Sequence, residues 1–542
     1  PSTLLDIRRQ RQMCIRDRAT TGDEVRIAGG TYTEPDMATV GRLVIVDKDL
    51  TLAGGYSTED WEEPDPGANP TVLDGEDLGP VVYDDTPGTT VTLTGLTLTR
   101  GSGQGVYMTD ARLLMSGCIL TGHAGSTRAL YLVNSDNSQV LDTQIINNTL
   151  SGFYGLYADI SHYLTLSGNT ITGNYGGYGV YLDSCDYATL SHNTISGNSG
   201  QGVRLYSDPQ YATLSHNTIT ANSTYGVYGS PAYSLLEQNT ISDNGNRGVH
   251  FGGSNNTLVA NTITGNSGGV YLSGSDNLLD NNTIAGNTGD GVYFSGSDNL
   301  LDNNIIVLYG GDGIEWTTGS GTLRHNTLSD NSGDSGLLVS GAASLVLTNT
   351  LVASHTYGIR TTNADANVQA DHTLWHNNGQ DTAAYGGINI VTTNDLYGDP
   401  RFVGGTDPFA AYHIWAGSAA IDAGAETGLT TDIDGEHRAP DVGADEFPYV
   451  LGLTPDQVVT TDPDTVVIYS HTLRNSGSLA DTVSLTASSS RGWAFELEPA
   501  AASLPSGASV GVTLTLTVPA DASGQADTVL ITATSTISPA IW

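Results

Sequence analysis

The chain of 542 residues has very few basic residues. Lys48 is its only lysine, and 19 Lys and Arg stand against 58 Asp and Glu, for a formal net charge of −39. Such a charge repels phosphate backbones and anionic lipid surfaces alike, which argues against nucleic acid as a partner. No apolar run approaches the length of about 20 residues that a membrane span needs, and no signal peptide is visible.

What the chain has in their place is a short internal repeat. An asparagine two positions before Ile or Leu recurs every 21 to 24 residues. The positions are Asn169, Asn193, Asn217, Asn239, Asn261, Asn282, Asn304, Asn326 and Asn349. No helical periodicity lies within the repeat, so each repeat is predicted to form one turn of a β-solenoid whose apolar side is buried against the neighbouring turns.

Two further columns accompany these asparagines. The aliphatic anchors are Ile145, Ile171, Ile195, Ile219, Ile241, Ile263, Ile284, Ile306, Leu328, Leu351 and Leu374. A second asparagine stands three residues after most anchors, from Asn148 to Asn377. The strand period of two places Val180 in the core and Tyr181 outside, and it places the repeated asparagines inside, where they can form a structural ladder.

These columns resemble the parallel β-helix repeats of the pectate-lyase-like superfamily, over roughly residues 19 to 445. The resemblance implies a right-handed parallel β-helix with three sheets per turn. Twelve clear turns and two or three irregular ones between Val44 and Leu98, each advancing about 4.8 Å, predict a rod of about 70 Å. Cys118 and Cys185 lie about three turns apart, which is beyond the reach of a disulfide.

The repeat divides the chain into four predicted parts. Residues 1–18, PSTLLDIRRQRQMCIRDR, hold five of the 19 basic residues and no repeat, and we interpret them as a non-native or artefactual head. The β-helix is predicted over 19–395. The segment 22–32 resembles the opening of secreted β-helix proteins, in which a signal peptide lies upstream, so we expect a truncated reading frame.

The two remaining parts follow the repeat. Strings such as Asp399-Pro400-Arg401-Phe402, 417–424 and 441–447 resemble the bacterial choice-of-anchor Q module, predicted over 396–448 as a cap on the last turn. That family precedes cell-surface anchors, which implies a secreted or surface location with the anchor missing here. Alternating apolar and Ser/Thr residues between turn signals predict an Ig-like β-sandwich over 449–542.

The clearest surface pattern is a row of tyrosines that follow the core valines. They are Tyr107, Tyr131, Tyr157, Tyr181, Tyr228, Tyr271 and Tyr293. Outward rings at this spacing could simply stack on one another and stabilise the sheet. Alternatively they could contact a ligand, because exposed aromatic rings suit sugars or a partner surface.

An acidic group after the repeat predicts a possible metal site. Asp432, Asp434 and Glu436 surround Gly435 as at the start of a calcium loop, with Asp441 and Asp445 as further ligands. The distal glutamate of such a loop is missing, so a tight acidic turn is the alternative. No cofactor is required by the sequence, and Ca²⁺ is the one ion that we expect could bind.

Catalytic signatures known on this fold are not recognisable. Lyases need a basic proton abstractor beside aspartates, and the sequence shows no such cluster. The Asp-Pro-His-Asp string of alginate epimerases is also missing. We therefore predict a secreted or cell-surface, non-catalytic protein that contacts an extracellular polysaccharide or a cell-surface protein. The alternative is a polysaccharide lyase, epimerase or glycoside hydrolase.

Overall fold

The computed structural model of the protein describes residues 19–33, 41–125, 128–149, 154–330, 334–385, 389–415, 417–436, 438, 441–447, 451–475, 480–505 and 507–535. The predicted head, residues 1–18, lies outside the described residues.

From Asp23 to Tyr397 the chain winds through three parallel sheets, A, B and C, and each turn adds one strand to each sheet in that order. The all-β parallel solenoid predicted from the repeat is confirmed. The 16 strands of sheet A are Asp23–Ala28, Leu50–Tyr56, Thr90–Thr94, Arg112–Ser116, Gln139–Leu141, Thr165–Ser167, Thr189–Ser191, Thr213–Ser215, Leu235–Glu237, Thr257–Val259, Leu278–Asp280, Asn299–Asp302, Gly319–Arg324, Ala343–Thr348, Asn367–Asp371 and Ile390–Thr393.

Sheets B and C complete the solenoid. The 16 strands of sheet B are Gly30–Tyr32, Thr71–Asp74, Leu96–Thr99, Ile119–Thr121, Gln144–Ile146, Thr170–Thr172, Thr194–Ser196, Thr218–Thr220, Thr240–Ser242, Thr262–Thr264, Thr283–Ala285, Ile305–Val307, Thr327–Ser329, Leu351–Ala353, Leu374–His376 and Leu396–Tyr397. The 15 strands of sheet C are Val44–Ile45, Val82–Asp84, Gln104–Thr109, Arg128–Val133, Tyr154–Asp159, Tyr178–Asp183, Val203–Tyr206, Val227–Gly229, Arg247–Phe251, Gly268–Leu272, Val292–Phe294, Ile314–Trp316, Ser335–Val339, Tyr357–Thr361 and Gln380–Ala383.

The corners between sheets are built from a left-handed residue followed by a buried asparagine. His192, with φ 56°, precedes Asn193 at the corner from sheet A to sheet B, and Gly197, with φ 61°, precedes Asn198 at the next corner. Each asparagine amide bonds to the asparagine one turn on, at 2.9 to 3.0 Å from Asn169 to Asn326. A second ladder runs from Asn148 to Asn287. The predicted inward ladders are confirmed over these ranges, whereas Asn377, with φ 53°, is an exposed corner residue and not a member of the second ladder.

The predicted columns are wrong by one residue at the last turns. Leu328 pairs with Val352 and Val352 with Trp375, so Leu351 and Leu374 face outward. Asn349 is the left-handed corner residue, with φ 53°, and Thr350 takes the ladder position. The sequence misleads here because both faces of these strands are buried, and a one-residue slip cannot be recognised when both alternate positions are apolar.

The second buried face is explained by the segment after the solenoid, which was predicted to cap the last turn. Its described contacts lie on the outer side of sheet B instead. Ala411, Tyr412, Ile433 and Ala444 pack against Ala285, Ile305 and Val307 in one apolar cluster. Ile414, Ala420 and Val442 pack against Leu351, Ala353 and Leu374 in another. The segment therefore covers one side of the solenoid and contains its own short helix, Pro408–Ala411.

The last part contains two antiparallel sheets. One orders its strands as Leu451–Thr454, Val466–Asn475, Ser509–Thr517 and Phe495–Glu498, and the other as Ala501–Leu504, Asp481–Ser489 and Val529–Ser535. Leu473 and Val512 of the first sheet share a core with Val483 and Leu485 of the second. This arrangement is compatible with an Ig-like part. Within the described residues, no helix has the length and apolar character of a membrane span.

Candidate functional site

The predicted tyrosines form one continuous outward column on sheet C, which we call the aromatic ladder. Strand register aligns its members, which are Tyr83, Tyr107, Tyr131, Tyr157, Tyr181, Arg204, Tyr228, His250, Tyr271 and Tyr293. The structure thus brings all seven predicted tyrosines together. Tyr83 extends the column by one turn, and the Val82-Tyr83 pair, which repeats the Val-Tyr pattern of later turns, is the sequence signal that could have found it.

The rings of the ladder stack on one another along the solenoid axis. Centroid separations between neighbouring rings run from 4.2 Å for His250 and Tyr271 to 5.4 Å for Tyr131 and Tyr157. The intervening separations are 4.7, 5.1, 5.2, 4.9 and 4.5 Å. Because a ring between two neighbours has both faces covered, the ladder presents ring edges and hydroxyls outward. A sugar cannot lie flat on its inner members.

A second, shorter column of tyrosines broadens this surface. Tyr154, Tyr178 and Tyr225 lie beside Tyr157, Tyr181 and Tyr228, with centroid separations of 5.1, 5.9 and 4.8 Å respectively. They were not predicted from the sequence, because they lie at or just before the start of their strands and the residue at this position varies between turns. Their contact explains why Tyr181 is only 7 % exposed despite facing outward.

Arginines are concentrated on the same sheet. Thirteen arginines follow residue 18, and five of them lie over tyrosine rings of sheet C. The guanidinium-to-centroid distances are 3.5 Å for Arg42 on Tyr83, 4.4 Å for Arg128 on Tyr131, 5.2 Å for Arg204 on Tyr228, 4.7 Å for Arg247 on Tyr271 and 4.8 Å for Arg360 on Tyr357. Cation–π contact holds each guanidinium flat against the sheet.

The ladder arginines differ in whether a carboxylate of the described residues pairs with them. Arg360 pairs with Asp334, whereas neither Arg204 nor Arg247 forms an ion pair with a carboxylate of the described residues. Nη1 of Arg204 donates to the Tyr178 hydroxyl at 3.4 Å. Both guanidiniums therefore keep donors that an oxygen-rich ligand could accept.

Burial sets the protonation of two central tyrosines of the ladder. Desolvation, with Asp183 adding to it, raises the pKa of Tyr181 to about 12, and burial raises the pKa of Tyr157 further. The hydroxyls of Tyr157 and Tyr181 are therefore neutral at ordinary pH and can both donate and accept. Burial, followed by Arg247, lowers the pKa of His250 to about 4, so this ring adds no charge at neutral pH.

Another group of stacked tyrosines occupies the corner after sheet C, and we call these the corner tyrosines. Tyr163, Tyr187, Tyr211 and Tyr233 have φ between 54° and 58° and are 43 to 53 % exposed. Successive centroids lie 5.0, 5.0 and 5.3 Å apart. A left-handed backbone is unusual for a tyrosine, and the stacking is the compensating contact that the structure shows.

The predicted metal ligands have separate roles in the segment that covers sheet B. Asp432 is buried, and its oxygens accept from the backbone N–H groups of Asp434, Glu436 and Glu446. Asp441 likewise accepts from two backbone N–H groups. Asp432 and Asp441 therefore stabilise turns, which agrees with the alternative prediction of a tight acidic turn. Glu436 is exposed, and Asp434 and Asp445 approach His413.

One residue that the sequence analysis missed, Arg438, holds this segment on the solenoid. Its guanidinium donates to His325 Nδ1 at 2.8 Å, to Asn303 Oδ1 at 2.9 Å and to the Ala444 carbonyl at 2.8 Å. Only long-range folding brings these partners together, so the sequence contains no local signal for the contact.

A carboxyl pair, with Asp302 buried and Asp280 partly buried, lies on the outer side of sheet A. Asp280 and Asp302 are in register on neighbouring strands. Nε of Arg324 donates to Oδ1 of Asp302 at 2.8 Å. Burial, with Asp302 adding to it, raises the pKa of Asp280 to about 6. A carboxyl group with such a pKa can donate or accept a proton near neutral pH.

Comparison with known proteins supports the fold. Residues 82–231 and 208–351 match a family model described as a right handed beta helix region, so this stretch carries the right-handed β-helix repeat. Among curated proteins, no sequence matches the chain.

Several solved structures are similar to it. The A-module of mannuronan C-5 epimerase AlgE6 from Azotobacter vinelandii is 12 % identical, with 71 % of this chain and 93 % of that chain covered and a TM-score of 0.37. Pectate lyase Pel9A is 13 % identical, with 80 % and 90 % covered and a TM-score of 0.33. The catalytic unit of a GH87 α-1,3-glucanase from Streptomyces thermodiastaticus strain HF3-3 is 13 % identical, with 71 % and 65 % covered and a TM-score of 0.31. None of these similarities bears on the activity of this chain.

Proposed function

We propose that the protein is secreted or held at the cell surface and binds an extracellular polysaccharide, without catalysis, along the aromatic ladder of sheet C. The observation that supports this most strongly is the placement of arginine. In a chain with a net charge of −39, Arg204 and Arg247 lie on the ladder with no carboxylate partner among the described residues.

The ladder suits a linear polymer because its groups repeat at every turn. Turns advance by about 4.8 Å, so tyrosine hydroxyls offer a donor and an acceptor at regular intervals along the solenoid axis. The guanidiniums add donors at Arg204 and Arg247. Since the ring faces are covered by stacking, the polymer would contact ring edges and hydroxyls, in place of the flat stacking that an isolated exposed ring allows.

Native affinity electrophoresis of the full chain in gels that contain pectate, alginate, a neutral β-glucan or no polymer tests the proposal. We expect at least one polymer to retard the protein. The variant Arg204→Ser with Arg247→Ser should bind that polymer about 100-fold more weakly, from about 1.5 kcal/mol for each lost hydrogen bond to a charged group.

The matched control is Arg112→Ser with Arg474→Ser, which changes the net charge equally but lies on sheet A and on the antiparallel part. It should bind as the parent does. Equal weakening in both variants would show a nonspecific charge effect, and failure of every polymer to retard the parent would refute the proposal.

The second candidate is a glycoside hydrolase, which the raised pKa of Asp280 beside Asp302 favours. The release of reducing ends from the same polymers tests it. Turnover by the parent that disappears in Asp280→Asn would support hydrolysis and contradict a purely binding role.

A further inference from the structure

Three side chains from distant positions converge in the segment that covers sheet B. His413 follows the helix Pro408–Ala411, Asp434 lies in the turn closed by Asp432, and Asp445 lies near the end of the segment. His413 Nε2 is 2.9 Å from Asp434 Oδ2 and 3.6 Å from Asp445 Oδ1. One ligand atom from each residue lies within 4.8 Å of the other two.

Within the described residues, two polar atoms at this point lack the aligned hydrogen bonds that buried groups normally have. Asp445 is 3 % exposed, and its Oδ2 accepts from the Ile414 N–H, while no hydrogen bond of the described residues reaches its Oδ1. His413 Nε2 is fully enclosed and has no aligned hydrogen-bond partner among the described residues, although Asp434 is close. Buried polar atoms are rarely left in this state unless an ion or another group completes the site.

The other side of the imidazole is already fixed. The imidazole lies beside the Ala410 carbonyl, and its Nε2 faces the two carboxylates. A metal-binding histidine typically donates its second ring nitrogen to a carbonyl or carboxylate in this way. The two carboxylate oxygens carry negative charge and face the same ring nitrogen, so a cation, either a proton on the imidazole or a metal ion, is needed between them.

We propose that His413, Asp434 and Asp445 bind a Zn²⁺ ion that ties the helix, the acidic turn and the end of the segment together. One imidazole nitrogen and two carboxylate oxygens are ligands that zinc accepts, whereas Ca²⁺ prefers oxygen ligands only. Asp434 has a side chain that is 33 % exposed, which leaves a path for entry. A water molecule would supply the fourth ligand.

The experiment is isothermal titration calorimetry of the metal-stripped full chain with ZnCl₂, with CaCl₂ as a parallel arm. We expect one zinc ion per chain and a thermal unfolding midpoint that rises with zinc concentration. Asp434→Asn should weaken zinc binding by more than about tenfold.

Glu426→Gln is the matched control, because Glu426 is an exposed carboxylate of the same segment that takes part in no contact described above. Its zinc affinity should equal that of the parent. Asp434→Asn removes a partly exposed carboxylate, so a folded variant is expected even where a change of His413 disrupts the segment. Zinc affinity unchanged by Asp434→Asn, absence of zinc binding, or binding of calcium in place of zinc would each overturn the proposal.

Discussion

Replacement of Asn239 by alanine is the sharpest test of how the solenoid is held together. Asn239 is 1 % exposed and lies in the middle of the first asparagine ladder. Its Oδ1 accepts from both the backbone N–H and the side-chain amide of Asn217, each at 2.9 Å. Its Nδ2 donates to the Leu214 carbonyl at 2.8 Å and to Asn261 Oδ1 at 3.0 Å.

Alanine would leave several of these partners unsatisfied. The Asn217 N–H and the Leu214 carbonyl lose their bonds to Asn239, whereas Asn261 Oδ1 keeps the bond from the backbone N–H of residue 239. An unsatisfied buried polar group costs about 1–3 kcal/mol. With two backbone groups affected, we expect the free energy of unfolding to fall by about 3 kcal/mol.

Equilibrium denaturation in urea, followed by circular dichroism, measures this loss. Gln238→Ala is the matched control, because Gln238 is the exposed left-handed residue directly before Asn239 and an alanine, Ala260, occupies the same position one turn on. The control should change stability by less than about 0.5 kcal/mol. Equal stability of Asn239→Ala and the parent would refute the assignment of the ladder as a stabilising element.

Three further predictions concern other parts of the molecule. His123 is buried, and desolvation lowers its pKa from 6.5 to about 4. As the pH falls from 6.5 to 4, the unfolded state therefore takes up a proton first, and the free energy of unfolding falls by about 3 kcal/mol. In denaturation curves His123→Asn should reduce this loss, and a variant with the same pH dependence as the parent would contradict the prediction. Joint replacement of Tyr181, Tyr228 and Tyr271 by serine should lower the free energy of unfolding by about 3 kcal/mol, because the stacking contacts of each ring with its neighbours are lost. An unchanged melting temperature would show that the stacking is not stabilising. Arg438→Met removes the buried guanidinium and should lower the free energy of unfolding by about 3–5 kcal/mol. Limited proteolysis between residues 417 and 436 should be faster than in the parent. Equal rates of proteolysis would show that Arg438 does not hold the segment on the solenoid.

Much of the solenoid could be predicted from the sequence because its contacts repeat. A buried asparagine such as Asn193 meets the same residue one turn on, so the spacing alone indicates a ladder. The outward position of Tyr181 follows from the strand period, but the second column that includes Tyr178 does not. Burial of that ring depends on its neighbours across the sheet, which the spacing does not specify.

The contacts of the segment after the solenoid could not be predicted in the same way. One signal was present: the outward positions of sheet B change from Thr262 and Thr264 to Ile305 and Val307, which indicates that something covers them. What covers them depends on contacts over more than 100 residues, such as that of Arg438 with His325. The grouping of His413 with Asp434 and Asp445 also depends on this folding back, and for that reason the acidic spacing predicted a different ligand set.

Hydroxyl-radical footprinting with mass spectrometry tests the central claim most directly, since it measures the oxidation of each tyrosine with and without a polysaccharide that retards the protein. The corner tyrosines are an internal control, because they are exposed and lie off the ladder. We expect protection of Tyr107, Tyr228, Tyr271 and Tyr293, with the corner tyrosines unchanged. Protection confined to the corner tyrosines, or equal oxidation of the ladder with and without bound polymer, would contradict it.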